Sequence, residues 1–162
     1  MPTLLTCDSE IERIALGLLD RSLPKVDWTH AGHFAAVLWL LRHRGEPAVT
    51  AAMPNWIRRY NEATGVANTE TGGYHETITR ASIRAAHHLL GLHSEAVPLH
   101  EVFESLMASE LGRSDWLLRY WSRSRLFCAE ARRRWLEPDL ESLPYGGPDT
   151  QLASPDGEMP SR

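Results

Sequence analysis

The chain has 162 residues, 43% of them hydrophobic and 23% charged, with a formal net charge of -4 and a pI near 6.0. That length allows one domain with a core large enough to fold without staples, and that charge gives no overall attraction to nucleic acid or to an anionic membrane. Cys7 and Cys128 are the only cysteines and form no Cys-x-x-Cys pair, which excludes a disulfide framework and a thiolate zinc cage and suits a reducing cytoplasm.

In chain order, Ile11, Ile14, Ala15, Leu18 and Leu19 repeat at helical spacing, so a first helix is expected over residues 9 to 20, with Ser9 and Glu12 spaced as a capping box. Leu23-Pro24-Lys25 then interrupts the pattern. A second helix is expected to start at Asp27 or Thr29, to bury Phe34, Val37, Leu38 and Leu41, and to stop at Arg44-Gly45. Its longest apolar stretch, Phe34 to Leu41, is far too short to span a bilayer, and the N-terminus lacks the basic flank and cleavage site of a signal peptide. Pro47 suits the first turn of a third helix bearing Met53, Trp56, Ile57 and Tyr60, which Pro54 either kinks or begins and Gly65 ends.

Residues 66 to 73 read as a loop, mobile over whatever lies beneath it. A fourth helix is expected from His75 to Leu92 and a fifth after Pro98, with Leu99, Val102, Phe103 and Leu106 as its stripe. Ser114 suits the cap of a short segment containing Trp116, Leu117 and Tyr120, and Ala129 to Trp135 adds one or two turns. The expectation is an all-α fold: a compact bundle of four main helices plus short C-terminal helices. Residues 1 to 145 form a single helical domain, and residues 146 to 162, rich in Gly, Pro, Ser and Asp, form a flexible, disordered tail.

The chemistry concentrates where two helices begin. His30 and His33 lie on one side of the second helix start, in line with its apolar stripe, and His75-Glu76 open the fourth. If those helices are neighbours, three imidazoles and one carboxylate meet at one point. His30, His33 and His75 would then ligate a divalent metal, Zn or Fe, with Glu76 as fourth ligand or general base and a position left for water or substrate. A helix N-terminus keeps imidazole neutral but opposes a nearby cation, so Glu76 is the compensating charge. The same geometry allows a metal-free alternative. N–H groups around Gly72 to His75, with Arg80 nearby, would hold an anionic group while His75 and Glu76 move protons. Tyr60 ends the third helix beside the loop and is a candidate proton donor. The structural reading of each histidine is a cap or a ring satisfied by a backbone carbonyl, and it is the better one for His43, His87, His88, His93 and His100.

The six tryptophans suit a pocket wall or an ordinary core. Arg58, Arg59, Arg80 and Arg84 suit an anionic substrate or a solvated face, and Arg132, Arg133 and Arg134 suit local ion pairs with Glu130, Glu137 and Asp139. Cys128 has no nearby histidine in sequence to activate it.

Four blocks, Trp28-Thr29-His30-Ala31-Gly32-His33, Gly73-Tyr74-His75-Glu76-Thr77-Ile78-Thr79, Ser122-Arg123-Ser124-Arg125-Leu126-Phe127 and Ala131-Arg132-Arg133-Arg134-Trp135-Leu136-Glu137-Pro138-Asp139-Leu140, together resemble a family of small uncharacterised bacterial helical proteins. The likeness covers roughly residues 26 to 144. It implies a self-contained bacterial domain whose pattern includes His30, His33 and His75, and it implies no reaction.

Three functions follow as expectations. The first is a metal-dependent enzyme acting on a small-molecule substrate. The second is a metal-free acid/base enzyme. The third is a non-enzymatic small-molecule-binding or interaction module with structural histidines. No nucleic-acid or membrane partner is expected, and a homo-oligomer is left open.

Overall fold

The computed structural model describes residues 5–146; the expected tail, apart from Gly146, lies outside the described residues. Helices α1 (Asp8–Asp20), α2 (His30–Arg44), α3 (Glu46–Ala63), α4 (Glu76–Gly91) and α5 (Leu99–Ala108) are followed by two short ones, α6 (Arg123–Leu126) and α7 (Ala129–Arg133). No strand occurs among the described residues, and the fold is the expected all-α bundle. Among the described residues no helix is long and apolar enough to cross a membrane.

The central position belongs to α2. Phe34, Ala35, Ala36, Val37, Leu38, Leu40 and Leu41 are all buried, and such a run covers every direction around a helix, so neighbours are needed on all sides. Those neighbours are α1, α3, α4 and α5. The helix starts at Thr29, whose hydroxyl accepts the Gly32 N–H at 3.1 Å, and ends at Gly45 with φ 80°, a conformation that favours glycine. Gly32 itself allows a close approach: a Cβ there would lie 2.4 Å from the Asp27 carbonyl oxygen.

Several local expectations are corrected. The Ser9–Glu12 capping box does not form. The N-cap of α1 is Cys7, which makes no side-chain cap bond, while Glu10 reaches back to the Thr6 N–H at 2.9 Å. Pro54 neither begins nor ends α3, which runs through it from Glu46; its missing N–H costs one rung of the ladder, and the buried Val49, Met53, Ile57 and Tyr60 hold the helix together by packing. The segment at Trp116–Arg119 is a 3-10 turn with Asp115, not Ser114, in the cap position.

The 66 to 73 loop is pinned. Asn68 Oδ1 accepts from Asn61 Nδ2 and from the Tyr74 N–H, both at 3.0 Å, and Asn68 Nδ2 donates to the Arg58 carbonyl at 3.2 Å. Gly73 closes it at φ 78°, where a Cβ would fall 2.6 Å from the Ala67 oxygen. The segment after residue 120 then wraps the start of α4. The buried Thr77 hydroxyl donates to the Ala131 carbonyl at 2.8 Å and accepts the Leu136 N–H at 3.2 Å.

Candidate functional site

A cavity of about 420 Å³ lies between α2, α3, α4 and the pinned loop. Its apolar walls include Trp28, Val37, Met53, Ile57 and Ile78, and its polar groups include His33, Asn61, His75, Thr79, Ser82 and Arg132. The condition set by the sequence, that α2 and α4 be neighbours, is met, and their opening turns bring His33 and His75 to one cavity.

His30 does not join them. Three residues along a helix turn the side chain by about 60° short of a full revolution, and at this boundary that turn separates two neighbours. His33 faces α3 and α4, whereas His30 stacks edge-on against Phe34 at 5.2 Å and donates its Nε2–H to the Leu111 carbonyl at 2.7 Å.

His75 lines the cavity, yet both of its ring nitrogens are committed. Nδ1 accepts the Ile78 N–H at 3.2 Å, capping α4, and Nε2–H donates to the Leu126 carbonyl at 2.7 Å. This fixes the tautomer and leaves no nitrogen lone pair for a metal. Burial is the main cause that holds its pKa below the usual 6.5, so the ring is neutral. Among the described residues no group of three or more His, Cys, Asp or Glu side chains could hold a metal ion. The expected His30, His33 and His75 ligand set does not fit Zn or Fe in this arrangement, because both ring nitrogens of His75 are committed to main-chain groups and His30 turns away from the cavity toward Leu111.

His33 is different. Its ring stacks on Trp28 with centroids 3.8 Å apart, and among the described residues no hydrogen-bond partner meets either nitrogen. Crowding by protein first, and repulsion from His30 second, push its pKa down to about 4. Since the side chain is exposed at the cavity mouth, water softens that crowding, and the direction is what the geometry carries: a neutral imidazole at pH 7 with its nitrogens available to a guest.

The remaining expected residues serve the scaffold. Tyr60 is 1% exposed and donates its hydroxyl to the Leu23 carbonyl at 2.9 Å; burial, with Asp27 second, raises its pKa, so it is no proton donor to the cavity. Glu76 accepts from the Tyr74 hydroxyl at 2.5 Å and faces Arg80 at 3.9 Å. Arg80 also lies 5.8 Å from the Trp135 ring centre. None of Tyr60, Glu76 and Arg80 lines the cavity. Trp28 does, whereas Trp116 and Trp121 are core.

Arg132 was legible only as part of a basic run expected to pair locally. It instead reaches back across the chain, its Nη1 donating to the Gly73 carbonyl at 3.0 Å and to the Tyr74 carbonyl at 3.4 Å. Of its neighbours, Arg134 pairs locally with Glu130, and Arg133 pairs with the distant Glu70 at 2.7 Å. No sequence signal separated the three arginines. Thr79 and Ser82 carried one, since both lie on the α4 side that follows His75, but Ser82 read as part of an apolar stripe.

The chain matches no protein-family model, no curated protein and no solved structure.

Proposed function

We propose that this protein is a small-molecule-binding module whose guest occupies the cavity between α2, α3 and α4. The observation that carries this reading is the cavity itself: about 420 Å³, inside the range of sites for small organic ligands, with mostly apolar walls and a few inward polar groups. His33 supports the same reading. Its low pKa makes it a poor proton abstractor at neutral pH, because a general base works best near the operating pH, yet a neutral ring with open nitrogens is a good hydrogen-bond partner for a guest. His75, Tyr60 and Glu76 are tied to the scaffold, which weighs against both acid/base and metal-assisted catalysis by these groups. Trp28, His33, Tyr74, His75, Thr79 and Arg132, which come from distant parts of the chain, all line this one cavity.

The test is a thermal-shift and calorimetric screen of small apolar molecules, such as indole, naphthol and medium-chain alcohols. A guest present at about 100 times its Kd stabilises the folded state by roughly 2.7 kcal/mol. Ser82→Trp, which places an indole in the cavity from a half-buried position, is expected to abolish the shift. Absence of saturable binding across the panel, or equal binding by Ser82→Trp, would overturn the proposal.

A further inference from the structure

A second cavity of about 260 Å³ borders the first, and Tyr74 and Arg132 line both. Its other charged residues are Arg58, Arg133 and Glu70. Glu70 is engaged by Arg133 at 2.7 Å, and among the described residues no carboxylate pairs with Arg58 or Arg132. Arg132 gives Nη1 to the loop carbonyls, and a guanidinium has five N–H donors, so others remain. Arg58 lies over the Tyr74 ring at 4.5 Å, a contact that steadies the guanidinium and leaves its N–H edge open. This cluster of three cations against one anion stands out in a chain whose net charge is -4, and it sits at the end of an apolar cavity.

Resting on the binding reading above, we infer that the natural guest is an amphipathic carboxylate, with its apolar body between α2, α3 and α4 and its head group at Arg132 and Arg58. A planar carboxylate matches a guanidinium fork with two parallel hydrogen bonds. A dianionic phosphate would bring a second charge beside Glu70, which lines the same cavity.

The probes are decanoate, decanol and decyl phosphate, each below its aggregation concentration, titrated by calorimetry and by intrinsic tryptophan fluorescence, to which Trp28 in the cavity wall contributes. Decanoate is expected to bind about tenfold tighter than decanol. Arg58→Gln is expected to reduce that preference severalfold without changing decanol binding, and Glu70→Gln to raise decanoate affinity. Arg132→Gln should act like Arg58→Gln; because Arg132 also holds the loop, Arg58→Gln, whose guanidinium rests on the Tyr74 ring, keeps the test independent of folding. Equal binding of decanol and decanoate by the wild-type chain, or an unchanged preference in Arg58→Gln, overturns the head-group assignment and leaves the cavity reading standing. Tighter binding of decyl phosphate than of decanoate overturns the carboxylate assignment. Binding of none of the three overturns both readings together.

Discussion

Replacing His75 by alanine removes two hydrogen bonds that belong to the fold. Loss of the N-cap acceptor to the Ile78 N–H costs about 1 kcal/mol. Loss of the Nε2–H donor leaves the Leu126 carbonyl unpaired in a buried position, which costs about 1–3 kcal/mol. The variant should therefore lose roughly 2–4 kcal/mol, a large share of the roughly 5–15 kcal/mol that holds an ordinary domain together. In melting temperature this is a fall of roughly 4 to 16 °C for a chain of this size. His75→Asn separates the two contributions, since its amide oxygen can still accept the Ile78 N–H while its side chain is too short to reach Leu126; its loss should be smaller than that of alanine by about 1 kcal/mol, the worth of the cap. Urea and thermal melts of the three proteins give the numbers. A His75→Ala variant within about 1 kcal/mol of wild type, or equal losses in the alanine and asparagine variants, would show that this ring is not a structural tie and would reopen it as a ligand.

Acid should destabilise the fold through the depressed histidines. Both His33 and His75 hold protons less tightly when folded than at the usual 6.5, so the unfolded chain binds more protons, and stability falls as pH drops below 6.5 toward about 4 for His33. His33→Gln should flatten that fall in melts taken between pH 7 and 4.5; an unchanged pH slope would refute the depression. Tyr60→Phe should lose about 1 kcal/mol with its bond to Leu23 and leave guest binding in the cavity unchanged, which the same screen measures. Elemental analysis after expression in Zn- and Fe-supplemented medium should find no stoichiometric metal, and chelation should leave the melting temperature in place; one equivalent of metal lost on His75→Ala would overturn the argument from ring tautomers. Gly73→Ala, whose Cβ would meet the Ala67 oxygen at 2.6 Å, should cost roughly 1–3 kcal/mol and weaken guest binding by opening the loop.

Much of the architecture follows from local pattern. The five principal helices were legible because apolar side chains recur every three or four residues and because Thr29, Gly45 and Pro98 mark helix ends through their own hydrogen-bonding and backbone preferences. That the opening turns of α2 and α4 face the interior was legible for a related reason, since each continues an apolar stripe; that they face each other was only a condition there, and packing met it. The Ser9–Glu12 box failed because α1 begins earlier, at Asp8 with Cys7 in the cap position, which leaves Ser9 inside the first turn.

The chemistry of the site was not local. Whether an imidazole is a ligand or a tie depends on which backbone carbonyl lies within hydrogen-bond reach, and for His30 and His75 those carbonyls come from residues 81 and 51 positions away. The same holds for Arg132, which reads as one of three equivalent arginines until the chain folds back and sets it against the Gly73 carbonyl. Periodicity, carried by each segment, determined where the helices are and which faces they bury. The partners of each polar atom depend on distances between remote segments, and only the packed structure decided those.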